Sequence, residues 1–391
     1  MNAPLLLLRN ADVHAPEALG IRHLLLGGGR ILWMGEAAPD LPASLRAEAL
    51  DLEGRRLIPG FIDGHVHVTG GGGEAGFASR VPVPALSRYT TAGVTTVIGL
   101  LGTDDAARGT AELLAQLYAL RECGLSAWGY CGGYHFPPTT LTGTVRGDIA
   151  FADPLIGVGE VAISDHRSSQ PTFDEVLRLA SEAHVAGLMS GKAGIVHLHL
   201  GDGARGLDLV QRALIESELP ARVFQPTHVN RRQALFDEAV DVARKGCHID
   251  ITAFPVAEGE DAWAADEALV RYLDSGAPAD RVSVSSDAGG CLPCFDASGR
   301  VCGMDIGHSG ALLDTLNRLL ARGLPLAQAL PAFTANVARL LRLPGKGVIE
   351  VGADADLVAL DADGGIEHAW LRGVAHVRAG TPLLRGMFER D

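Results

Sequence analysis

Apolar positions along this chain follow two rhythms. At both ends they form short runs broken by turn residues: "LLLLRNADVH" and "HLLLGGGRILWMGE" at the start, "GVIEVGADADLVALD" and "AWLRGVAHVRAGTPLL" at the close. Such runs predict antiparallel strands. Two flanking sets can meet as one small β-sandwich, because the ends of a domain are often close together. Between them the pattern alternates. Strand candidates occur at "LIPGFID", "TTVIGLL", "SAWGYCG", "LIGVGEV", "GIVHLHL", "ARVFQPTH", "CHIDITA" and "RVSVSSD". Helix candidates lie at 104–123, 172–190, 205–218, 231–246, 262–275, 306–322 and 325–342. In "TFDEVLRLASEAHVAGLM" Thr172 and Glu175 form a capping-box signature, and Phe173, Val176, Leu177 and Ala180 recur at helical spacing. Eight strands alternating with helices predict an α/β fold, a (β/α)8 TIM-like barrel over 58–344. The small sandwich domain takes 1–57 plus 345–391. A doubly wound sheet is the competing architecture.

Composition narrows the function classes. A length of 391 residues accommodates one large domain and a small one. The net charge of -14, with no basic run, argues against a nucleic-acid partner. No apolar stretch approaches the length of a membrane span, and the opening "MNAPLLLLRN" is too short for a signal segment. A cytoplasmic location is therefore expected. The 6 cysteines are scattered, and a disulfide framework is implausible in such a chain. The single CxxC, "CLPC" at 291–294, lacks a second pair and reads as small apolar fillers in a loop.

Chemistry concentrates at strand ends, where a barrel builds its active site. "FIDGHVHVTGGGGEAG" carries His65 and His67 at i and i+2, on one face if the preceding run is a strand. Glu160 ends strand four, His197 and His199 lie on strand five, His228 ends strand six and Asp287 ends strand eight. Any one of these taken alone reads as a buried structural histidine or an ion-pair partner. Their joint placement, one cluster per strand end, does not. His197 and His199 share a face, and His199, nearer the strand end, is the better ligand candidate.

With "PGFIDGHVH" and these later positions, the chain resembles the amidohydrolase superfamily. The motifs "GGGGEAG", "LLGTD", "GYHFPP", "AISDHRS", "THVNR" and "SSDAGG" resemble those of isoaspartyl (β-aspartyl) dipeptidases, in register over nearly the whole chain. The resemblance implies a dinuclear site for two divalent metal ions, with imidazole and carboxylate donors that suit zinc. His65, His67 and Asp287 would hold the buried ion, His199 and His228 the exposed one. The family's bridging carboxylated lysine corresponds here to Glu160. The only lysines, Lys192, Lys245 and Lys346, all lie elsewhere. A glutamate is shorter, so bridging needs the strand to bring it closer, and an extra residue in "GVGEV" would do so. A mononuclear site, with Glu160 as an ordinary ligand or as a neighbour of one, is the alternative.

The expected reaction is hydrolysis of a β-aspartyl dipeptide, a small-molecule substrate. Asp287 is the candidate general base, and the resemblance gives Tyr134 the role of donor to the oxyanion. The substrate carries one ammonium and two carboxylates, which Glu74, Arg167 and Arg231 match at the positions the family points to. Thr103 adds a hydrogen bond. Where the family offers a serine hydroxyl, this chain has Cys291, a weak donor. The family also implies a homo-oligomer. Two other readings compete: an amidohydrolase for N-acyl amino acids or cyclic amides, and a non-catalytic barrel that would be expected to have lost ligand residues.

Overall fold

The computed structural model describes residues 5–295 and 301–390. Eight parallel strands stand in chain order. Six of them form one sheet: Phe61–Val66, Val94–Gly99, Ser126–Cys131, Leu155–Ile163, Ile195–Leu200 and Phe224–Thr227. Ile249–Thr252 and Val282–Ser285 form a parallel pair. Apart from the partly buried Trp128, every residue of these eight strands is buried, as expected of strands covered on both faces. No strand skips a neighbour in the order, which excludes the doubly wound alternative, and the fold is a TIM-like barrel.

Side chains seal the two seams where the ladder is interrupted. Between strands six and seven, Asn230 Nδ2 donates to Thr252 O at 3.0 Å and Thr252 N donates to Asn230 Oδ1 at 2.9 Å. Buried Asp250 accepts from Thr227 at 2.8 Å and from Ser283 and Ser285 at 2.5 Å each. Between strands eight and one, Val66 bridges to Ala288. Buried Asp63 accepts from Ser286 N at 3.0 Å and Ser309 Oγ at 3.2 Å. Both oxygens of each buried carboxylate thus accept hydrogen bonds, the condition for tolerating it there.

Helices cover the outside. Phe173–Ser190 starts at Thr172 with the expected capping box and ends at Gly191 in the left-handed conformation. The helix expected over 325–342 is broken into Leu326–Ala329, a 3-10 turn Leu330–Phe333 and Ala335–Leu341. Pro331 offers no N–H, so a continuous helix cannot pass it. The "CLPC" segment is not a plain loop: Cys291–Phe295 pairs antiparallel with Val301–Ile306. The side chains of Cys294 and Cys302 lie outside the described residues.

The terminal segments form one nine-stranded sheet, with Leu357–Leu360 beside Arg56–Pro59 and Arg56–Pro59 beside Leu6–His14. Not all of it is antiparallel, since Leu6–Arg9 runs parallel to Glu48–Asp51. The sheet has its own apolar core, including Leu8, Leu24, Ile31, Leu57, Leu357 and Trp370. "LIPGFID" therefore serves both units. Its first half pairs in the terminal sheet, its second half opens the barrel, and Gly60 lies between them against Thr95, where a Cβ would sit 2.2 Å from Thr95 Cγ2. Among the described residues, no helix is long and apolar enough to cross a membrane.

Lys346 ties the two units together. Its buried ammonium donates to Ser126 Oγ at 2.6 Å, sits 2.9 Å from Asp354 Oδ2 and also pairs with Asp356. Removing the cation leaves buried Asp356 without its counter-charge, a change that costs about 3–5 kcal/mol, whereas Asp354 keeps Arg30 at 3.5 Å. Lys346→Met is expected to lower the thermal unfolding midpoint by several degrees at a fixed scan rate. A midpoint within a degree of the parent would show that this contact does not hold the units together.

Candidate metal centre and active site

The carboxylate of Glu160 lies at the centre of the barrel mouth. Its Oε1 faces His67 Nε2 at 3.5 Å. Its Oε2 faces His199 Nδ1 at 2.9 Å, His228 Nε2 at 3.4 Å and His65 Nε2 at 3.5 Å. Asp287 Oδ1 closes the other side, 3.1 Å from His67 Nε2 and 3.4 Å from His65 Nε2. All six residues expected to be ligands are thus brought together, and all six are buried.

Local backbone geometry explains the convergence. His65 lies in the first strand and His67 just beyond it, with ring centroids 5.4 Å apart, as a two-residue period requires. His228 follows its strand directly and Asp287 lies two residues beyond its own, and both take positive φ, 59° and 55°, turning their side chains back over the barrel. Glu160 arrives differently. Val158 pairs with Val196 and Val161 with Leu198, so Gly159 and Glu160 oppose the single residue His197. This is a bulge, the extra residue expected in "GVGEV", and it advances Glu160 towards the other strands. Gly159 permits it: a Cβ there would lie 2.7 Å from that of His197.

His197 and His199 divide their work. His199 faces Glu160, whereas His197 lies behind His65, its Nε2 2.8 Å from His65 Nδ1. Gln225 Oε1 accepts from His197 Nδ1 at 3.0 Å, which leaves His197 Nε2 to accept from His65. Burial, reinforced by the neighbouring His65 charge, pushes the His197 pKa down to about 3 and keeps it neutral. His65 Nε2 is thereby aimed at the carboxylates.

The electrostatics fit a cation site. Burial disfavours the charge of Glu160, yet the His65 and His199 imidazoles hold its pKa well below the usual carboxylate range. Burial likewise opposes the charge of Asp287, and His65 and His67 overcome it. For His65, burial opposes the charged form, and Glu160 and Asp287 outweigh it, raising its pKa. Buried His65 Nε2 and Asp287 Oδ1 make no hydrogen bond. Three sets, His65 with His67 and Glu160, His65 with His228 and Asp287, and Glu160 with His199 and His228, each bring their ligand atoms within 4.8 Å of one another. Orphaned donors beside two ionised carboxylates suit divalent cations.

Around this cluster stand most of the other expected residues. Glu74 Oε1 accepts from Thr103 Oγ1 at 3.1 Å and lies 3.5 Å from Arg167 Nη1. The Tyr134 hydroxyl is 2.8 Å from His199 Nδ1, and the Arg167 guanidinium lies over the Tyr134 ring at 5.4 Å. Arg231 donates to Leu200 O at 3.2 Å, and its charge also acts on the Tyr134 phenol. Cys291 opens the hairpin after Asp287, its sulfur 3.2 Å from that of Met304. The glycine-rich loop is shaped by Arg108, which donates to the carbonyls of Thr69, Gly71 and Val81. Gly70, at φ 78°, has no room for a side chain, since a Cβ would meet Val81 O at 2.1 Å. The sequence reading missed Asp165, which accepts from Arg167 and His199, although "AISDHRS" contains it. It also missed Arg108 and Gln225, which carry no motif of their own.

The Amidohydrolase family model matches residues 56–382. The chain belongs to the amidohydrolase family. The motif likeness has a structural counterpart. The crystal structure of the β-aspartyl dipeptidase of Fervidobacterium islandicum AW-1, in complex with β-Asp-Leu, is 38% identical, with a TM-score of 0.90, covering 97% of this chain and 98% of that one. A D-hydantoinase structure at 16% identity and a TM-score of 0.68, covering 98% of each chain, shares the fold. Among curated relatives, the imidazolonepropionase of Mycolicibacterium smegmatis is 27% identical over 374 residues, 90% of this chain and 87% of that protein. For this amidohydrolase, removing bound metal with a chelator is expected to lower the unfolding midpoint by several degrees, and zinc to restore it. Saturation at 100-fold over the dissociation constant contributes about 2.7 kcal/mol. No response to either treatment would mean that the cluster is not a metal centre.

Proposed function

We propose that this amidohydrolase is a metal-dependent dipeptidase that hydrolyses β-aspartyl (isoaspartyl) dipeptides. The observation that carries the reading is the pairing of Glu74 with Arg167, 3.5 Å apart, beside the Glu160 cluster. The aspartyl residue of such a dipeptide keeps its ammonium and α-carboxylate on one carbon, so its receptor needs an acid and a guanidinium side by side. Arg231 then takes the carboxylate of the second residue. Thr103 steadies Glu74, and Cys291 stands where a hydroxyl donor would otherwise grip the substrate. The likeness to a β-aspartyl dipeptidase crystallised with β-Asp-Leu supports the same reading.

In this mechanism His65, His67 and Asp287 would hold one divalent ion and His199 and His228 a second, with Glu160 as a ligand common to the two sets. Bound metal supplies a water acidic enough to ionise near neutral pH. Asp287, held ionised by the imidazoles around it, takes the proton from the attacking water and passes it to the leaving amine. Burial raises the pKa of the Tyr134 phenol and keeps it protonated, so it donates to the oxygen that gains charge as the amide carbon becomes tetrahedral. Imidazole with carboxylate donors favours zinc. Cys123, Cys131 and Cys247 are free thiols, in keeping with a cytoplasmic setting, and the family likeness supports a homo-oligomer.

The full-length likeness to imidazolonepropionases favours a second reading, hydrolysis of a cyclic amide or an N-acyl amino acid. The two arginines with Glu74 count against it, since those substrates need fewer charged partners.

Hydrolysis of β-Asp-Leu, measured beside α-Asp-Leu and N-acetyl-leucine with zinc-assayed protein, tests the choice: selective cleavage of β-Asp-Leu is expected. Cleavage of N-acetyl-leucine alone would transfer the site to the second reading. Asp287→Asn is expected to lower kcat by about 10²–10⁴-fold. Arg231→Met should raise KM for dipeptides with a free C-terminal carboxylate, and unchanged kinetics would refute this orientation. Glu160→Lys should regain activity only with bicarbonate if that position contacts both ions.

A further inference from the structure

Asp165 follows the strand that carries Glu160 and is 2% exposed. Its Oδ1 accepts from Arg167 N at 2.7 Å and Arg167 Nε at 3.0 Å. Its Oδ2 accepts from Arg167 Nη2 at 2.7 Å and from His199 Nε2 at 3.0 Å. One carboxylate therefore grips the Nε–Nη2 edge of the arginine and the far nitrogen of a cluster histidine. His199 in turn offers Nδ1 to Glu160. The oxygens of Asp165 already accept from a guanidinium and an imidazole, so the residue is a poor cation ligand itself, and its partners define its role.

Room for this carboxylate is built into the backbone. A Cβ at Gly201, just beyond the strand of His199, would lie 2.0 Å from Asp165 Oδ2. The backbone bond from Arg167 N closes a turn that sets Arg167 two residues from its anchor.

We propose that Asp165 is a positioning residue that links the substrate-binding arginine to the metal site, holding Arg167 for the α-carboxylate and His199 with Nδ1 towards Glu160. The proposal rests on the dipeptidase reading for the role of Arg167, but not for that of His199. A carboxylate behind a ligating imidazole fixes its orientation and tautomer, and its loss typically weakens metal binding 10–100-fold. Held at Nε and Nη2, Arg167 keeps Nη1, the nitrogen nearest Glu74, for substrate. Both functions pass through one side chain, so a single substitution disturbs both.

The test uses zinc competition against a chromophoric chelator, with the unfolding midpoint of the zinc-saturated protein as a control. His199→Asn identifies the zinc that His199 holds. Asp165→Asn is expected to weaken that same zinc 10–100-fold and leave any other unchanged. At saturating zinc, KM for β-Asp-Leu should rise at least about tenfold, with a smaller change in kcat. In a double-mutant cycle with Arg167→Met the KM effects should be strongly less than additive, because Asp165 acts through Arg167. A purely structural role predicts additive effects and weakening of all bound zinc alike, and that pattern overturns the proposal. Gly201→Ala displaces the carboxylate without removing its charge and decides the matter if Asp165→Asn does not fold. It should shift zinc affinity and KM in the same direction, and no shift in either also overturns the proposal. Failure of the parent protein to cleave β-Asp-Leu would overturn the dipeptidase reading alone, and the zinc competition would still decide the link to His199.

Discussion

A buried carboxylate surrounded by imidazoles is the constraint around which this protein is organised. Taking Glu160 out of water costs several kcal/mol unless positive charge or donors meet it. His65, His67, His199 and His228 meet it from three different strands or the turns that follow them. None of these groups is comfortable alone in an apolar barrel. Together they form a site whose charge and unpaired atoms suit cations.

The rest of the barrel holds these groups in register. A bulge advances Glu160, and the chain makes room for it with a glycine against His197. Asp63 and Asp250 bind serine and threonine hydroxyls at the two seams, so the short seventh and eighth strands are fixed although they lie outside the six-stranded ladder. Asp63 also lies directly below the turn that presents Asp287, since it accepts from Ser286. Closure of the barrel and placement of the Asp287 carboxylate are thus one set of bonds.

The residues proposed to bind substrate are arranged in a shell around the Glu160 cluster, and the shell is not independent of it. Tyr134 contacts His199, Arg167 lies over Tyr134, and Asp165 binds both Arg167 and His199. Glu74 reaches this shell on a loop whose carbonyls are collected by Arg108. The outer shell and the Glu160 cluster therefore share hydrogen bonds, which is an economical way to hold charged side chains in place.

Alternating apolar runs were enough to predict eight barrel strands and terminal strands, because period-2 and period-3.6 patterns are local properties of the chain. The ligand-type residues were also legible, since a barrel puts its chemistry at strand ends and H-x-H can be read without knowing what lies opposite. Tertiary structure alone decided the remainder. His197 and His199 share a face in the sequence, and only the neighbouring strands separate the one against Glu160 from the one behind His65. Lys346 reads as a turn lysine until Ser126, Asp354 and Asp356 are seen around it. Asp165 lies inside a quoted motif, yet its role depends on Arg167 and on His199, 34 residues away. Patterns of burial are written in neighbouring residues, whereas the partner of a buried charge is set by packing between distant segments, and no local spacing records it.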